Sequence, residues 1–102
     1  MDLYKCKKNK ANAAGSFSPG GFTVIKGSVI SDHVAPSFEI GSKFYYRIRN
    51  ELIATGVIKD RVFQKDYEFA SSTAAGAVVV GATISGRNAW AKITNEEYSN
   101  ES

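Results

Sequence analysis

Four lysines, Lys5, Lys7, Lys8 and Lys10, make the densest positive run of the chain. Ammonium groups at that density suit the phosphates of a nucleic acid, where charge neutralisation sets affinity and carries no sequence information. A second group stands far along the chain. Ser71, Ser72 and Thr73 precede the run Ala74–Ala75–Gly76–Ala77. They mark a helix N-terminus, whose unpaired N–H groups and positive dipole end can seat a phosphate. Arg87 and Asn88 follow Ser85–Gly86 in an expected tight turn. They carry the donors and acceptors that read base edges. Each set also has a plainer meaning. Lysines guard the edge of a sheet, small residues permit close packing, and Ser, Gly and Asn make turns.

Catalytic chemistry finds little to work with. His33 is the one histidine and Cys6 the one cysteine, whereas a zinc site needs about four ligands. Asp60, Asp66 and Glu68 cluster in sequence, as carboxylates do in two-metal nucleases. Asp60 and Asp66 fall in expected turns, however, where Asp serves the backbone. Cys6 would be reactive only with a lowered pKa, and only neighbouring lysines favour that. No phosphate-loop glycine pattern occurs. The expectation is a protein that is not an enzyme and takes no metal or cofactor.

Composition sets the frame for these residues. With 102 residues, 43% of them apolar, the chain is one small domain with a modest core. No run approaches the ~18 apolar residues of a membrane helix. The opening MDLYKCKKNK lacks the apolar centre of a leader. A single cysteine suits a reducing, cytoplasmic setting. Net charge is +3, but three of the ten acids, Glu96, Glu97 and Glu101, lie in the last residues, so the body to Asn95 is more basic than the whole. A basic body favours polyanionic partners.

The elements that must position the candidates are legible in part. Leu3–Lys8 reads as an edge strand, with Lys5 and Lys7 on one face. Asn9–Gly21 reads as a turn region anchored by Phe17. Phe22–Ile30 is the clearest strand by composition, interrupted at Gly27. Ser31–Ser42 reads as a loop holding a surface His33. Ser42–Thr55 is the main helix, with Phe44, Ile48 and Leu52 as its apolar stripe, widened by Tyr45 and Ile53. Lys43, Arg47 and Arg49 fall on its other face, where Lys43 and Arg47 could meet phosphates together. Val62–Phe63 and Tyr67–Phe69 are short strands. A second helix runs from a Ser71 cap to a Gly81 stop. Ala89–Ile93 is a last strand that buries Trp90, and residues 94–102 read as a frayed acidic tail.

Several landmarks together carry a resemblance. They are Asn12–Ala13–Ala14–Gly15, Gly21–Phe22–Thr23–Val24–Ile25–Lys26–Gly27–Ser28, Glu51–Leu52–Ile53 with Gly56–Val57–Ile58, Phe63 with Asp66–Tyr67–Glu68–Phe69, Ser71–Ser72–Thr73–Ala74–Ala75, and Gly86–Arg87 with Trp90. The chain resembles, over about Tyr4 to Lys92, the uncharacterised domain often appended to the C-terminus of GIY-YIG endonuclease-like bacterial proteins. Its second half is similar to the RAMA domain, named for its association with restriction enzymes and adenine methylases. That family usually has proline where Ser72 stands, serine at Thr73 and asparagine at Ser85. The resemblance implies work beside DNA-processing modules, covalently linked or separate. The nuclease triplets themselves do not occur in this chain.

The expected architecture is α+β: a small, mostly antiparallel sheet with two main helices packed on it, spanning residues 1–93. The expected function is a non-catalytic accessory module that binds DNA. Lys5, Lys7, Lys8, Lys10, Ser71, Ser72, Thr73, Arg87 and Asn88 are the contacting residues, and there is no membrane partner. The alternative is a protein-docking or structural domain that uses Tyr45, Tyr46 and a sheet edge.

Overall fold

A computed structural model of the chain describes residues 2–93. It is α+β, as expected. Strands β1 (Tyr4–Cys6), β2 (Ala13–Ser18) and β3 (Gly21–Val24) are followed by helices α1 (Pro36–Gly41) and α2 (Lys43–Ala54). Strands β4 (Ile58–Lys59), β5 (Val62–Phe63) and β6 (Tyr67–Phe69) come next. Helices α3 (Ser72–Val80) and α4 (Gly86–Ala89) and strand β7 (Ala91–Lys92) complete the described chain. Five strands form one antiparallel sheet in the order β6-β3-β2-β1-β7, and β4–β5 is a separate hairpin. Val29 bridges both Asn12 and Val62 and so ties the hairpin to the sheet.

Strand alternation divides the sheet into two faces. Cys6, Ala13, Phe22, Val24 and Phe69 are buried on one face, under α3. Lys5, Ala14, Ser16, Thr23, Glu68 and Ala91 share the other, by the strand register. Phe22 and Val24 lose all solvent contact, worth roughly 1.5–3 kcal/mol each.

Helix α3 is the centre of the molecule. Seven of its nine residues, Ala74 to Val80, are buried, the pattern of a helix enclosed on every side. The Ser71 hydroxyl accepts the Ala74 N–H at 3.0 Å. Gly81 ends the helix at φ +72, and its N–H returns to the Ala77 carbonyl at 2.8 Å. Both ends are as the sequence predicts.

Elsewhere the structure corrects the sequence reading. The expected Asn9–Gly21 turn region contains β2, because pairing with β1 and β3 on both sides overrides the weak strand propensity of Ala-Ala-Gly-Ser. Its expected anchor, Phe17, is 55% exposed. The expected Phe22–Ile30 strand ends at Val24, and the chain turns at Lys26–Gly27, with Gly27 at φ +91. The expected loop at Ser31–Ser42 contains α1, where Pro36 opens a helix and breaks none. The Ser85–Asn88 turn lengthens into the one-turn helix α4.

β1 is not an edge strand either. Trp90 stacks on Phe22, ring centroids 4.5 Å apart, and its Nε1 donates to the Ser72 carbonyl at 3.0 Å. Residues 91–92, anchored there, pair with β1 and take the edge from it. The expected 94–102 tail lies outside the described residues.

Helix α2 is rotated from its expected stripe. Leu52 is buried and Tyr45 and Ile48 pack against the core, while Phe44 is 68% exposed. Arg49, expected on the solvent face, is 5% exposed. Its Nη1 donates to the Val78 carbonyl at 2.7 Å and to the Ser31 hydroxyl at 3.1 Å, and its Nη2 to the Ser31 carbonyl at 3.0 Å. The guanidinium thereby satisfies a carbonyl left unpaired at the C-terminus of α3, where positive charge is favoured. Burial and the nearby Arg61 charge push its pKa down.

Candidate nucleic-acid interface

Lys5 leaves the sheet on the face turned away from α3, and Lys7 and Lys8 follow as β1 gives way to a single 3-10 turn at Lys8–Lys10. β7 runs antiparallel to β1, with Ala91 opposite Lys5. The start of β7 and the end of β1 therefore share one end of the sheet. The helix that feeds β7 is α4, and it brings Asn88 to that end.

Two clefts result. One, of about 320 Å³, is lined by Lys5, Lys7, Lys8, Asn88, Ala89 and Ala91. The other, of about 370 Å³, is lined by Lys5 and Lys7 together with Asn12, Lys26, Ser28 and Ile93 among others. Lys5 and Lys7 belong to both, so they form a cationic ridge between two hollows.

Further bonds fix the walls. The Ser28 hydroxyl accepts the Ala14 N–H at 3.1 Å, and the Ile93 N–H donates to the Leu3 carbonyl at 2.9 Å. Asp66 accepts the Lys26 N–H at 2.8 Å and so turns the Lys26 backbone at the rim.

Charge is graded across the open face. Glu68 lies on β6, three strands from Lys5 in the sheet order, roughly 14 Å away at the usual strand spacing. The Ser18 hydroxyl and the Gly20 N–H hold its carboxyl below the usual carboxylate range. Glu68 is thus kept apart from Lys5, while Asp66 stands at the rim of the lysine cleft beside Lys26. Asp66 and Glu68, two of the clustered acids, act as acceptors for backbone N–H groups. Asp60 and Arg61 form the β4–β5 turn at φ +52 and +70. Among the described residues no group of three or more His, Cys, Asp and Glu is placed to hold a metal ion. His33 is exposed beside Asp32, at 3.6 Å. Cys6 is buried, and burial pushes its thiol pKa up.

The remaining sequence candidates take different places. Lys10 is separated from the other lysines. It lines a third hollow with Asn9, Asp32 and His33, and its carbonyl accepts Arg61 Nη2 at 3.3 Å. Ser71 caps α3, while Ser72 and Thr73 hold α4 in place. The Thr73 hydroxyl accepts the Gly86 N–H at 3.1 Å, and the Ser72 carbonyl accepts the Trp90 indole. Arg87 is exposed on α4, next to Asn88 but not lining the cleft. Ser85 caps α4 by accepting the Asn88 N–H at 3.3 Å, a task asparagine performs equally well. Ser72 stands at the first position of α3, where proline is also suited.

Lys26, Asn12 and Ser28, landmarks of the resemblance, carry no contacting role in the sequence reading. Only the pairing of β2 with β3, extended by Ile25 N–H to the Ala14 carbonyl at 3.0 Å, carries Lys26 to the lysine ridge. Lys43 and Arg47 lie elsewhere, in a cleft of about 520 Å³ along α1 and α2.

Fold and clefts define a small α+β module with one lysine-rich end. The chain belongs to the family described as a domain of unknown function, DUF4357, which matches residues 4–101. No curated protein and no solved structure matches the chain. No helix among the described residues is long and apolar enough to cross a membrane.

Proposed function

We propose that this domain is a non-catalytic accessory module that binds DNA beside a nuclease or restriction-modification module, linked to it or separate, in the cytoplasm. One observation carries the reading. Lys5, Lys7 and Lys8, adjacent in sequence, share a cleft with Asn88, which is remote in sequence. The lysines neutralise phosphates, and Asn88 and the neighbouring Arg87 offer hydrogen bonds to sugar or base edges. The resemblance to the domain appended to GIY-YIG-like proteins and, over the second half, to the RAMA domain supports the setting.

Titration of a labelled duplex of roughly 20 base pairs at low salt, read by fluorescence anisotropy, tests the reading. Binding that weakens steeply as salt rises is expected. A folded protein that leaves the duplex free at low salt overturns it.

A second reading has its own observation. Ile40 and Phe44 are 78% and 68% exposed at the α1–α2 junction, an apolar surface suited to a protein partner. In that case Phe44→Ala weakens partner capture and leaves DNA affinity unchanged.

A further inference from the structure

We infer that the lysine ridge takes double-stranded nucleic acid, gripped through its phosphates, and not unpaired bases. The inference rests on the DNA-binding reading above and names the ligand's form.

Proteins that hold single strands combine a basic groove with aromatic rings on which the bases stack. Here the two are separated. Every Phe, Tyr and Trp ring of the described residues packs against another ring. None of them lines either lysine cleft. Phe17 is exposed, but its ring meets Tyr4 at 5.3 Å, on the face opposite Lys5. The clefts offer ammonium groups, the Asn12 and Asn88 amides and aliphatic side chains, none of them a stacking platform, and so suit phosphates and sugars. Without stacking, the polymer of higher charge density wins, and that is the duplex, which releases more counterions per contact.

The test is a competition at low salt. Labelled duplex bound to the full chain is displaced by unlabelled duplex of unrelated sequence or by oligothymidine of the same length. Duplex is expected to compete about tenfold better per phosphate, and Phe17→Ala to leave both affinities unchanged. Oligothymidine competing as well as duplex, or losing its affinity in Phe17→Ala, overturns the inference while DNA binding stands. If the labelled duplex never binds, the functional reading itself fails, and the inference with it.

Discussion

Cys6 and Arg49 show how far a residue's chemistry depends on where the fold puts it. Three lysines follow Cys6 closely in sequence, which suggests an activated thiolate. The Lys8 charge and backbone do act in that direction, but burial outweighs them and raises the pKa. The thiol should therefore react slowly with a disulfide reagent at pH 8 in the folded protein and quickly in urea, and equal rates would contradict its burial. The same shift has a consequence for stability. A pKa raised by folding gives a contribution that is present below the unfolded thiol's value of about 8.5 and is lost as pH rises through the folded one. Cys6→Ala should remove that alkaline decline.

Periodicity misplaces Arg49 because a charged residue reads as solvent-facing. Its position four after Tyr45 and three before Leu52 is a core position, and the α3 carbonyls explain why a cation fills it. Arg49→Met should cost about 2–3 kcal/mol in urea unfolding, since it leaves the Val78 and Ser31 carbonyls unpaired. A loss below about 0.5 kcal/mol, the level of ordinary surface substitutions, would contradict that role.

Among the elements, α3 and α4 form the joint that presents Asn88. Helix α3 was legible from its ends and its small residues, because a serine cap and a left-handed glycine are local signals. α4 reads as a turn in the sequence because four residues carry no periodicity, and β2 leaves no local signal because only long-range pairing makes it a strand. Gly76 lets the two helices meet: a Cβ there would lie 2.6 Å from the Ala89 Cβ. Gly76→Ala should lower the melting temperature and also weaken duplex binding, because α4 and Asn88 must shift. Unchanged melting would show that the joint has room to spare. Ser71→Ala should cost about 1 kcal/mol through the lost cap, with DNA affinity retained if Ser71 serves only the helix end.

At the scale of the molecule, the sequence announced a basic body but not its shape. The lysine run was visible as four residues, whereas the fold keeps three together, turns Lys10 away and brings in Lys26 from the β3 side. That selection follows from the β2–β3 pairing and from Trp90, which returns the chain to β1. Two acids of that face, Asp66 and Glu68, accept backbone N–H groups at 2.8 and 2.9 Å, Asp66 beside the ridge and Glu68 far from it. The central claim is that Lys5 and Lys7 contact phosphates from one ridge. It is tested most directly by the slope of log affinity against log salt for duplex binding, in the natural protein and in a Lys5→Gln/Lys7→Gln variant of equal stability. Loss of two phosphate contacts should flatten the slope by about 1.8. An unchanged slope in the folded variant would contradict the claim and place any DNA contact elsewhere on the domain.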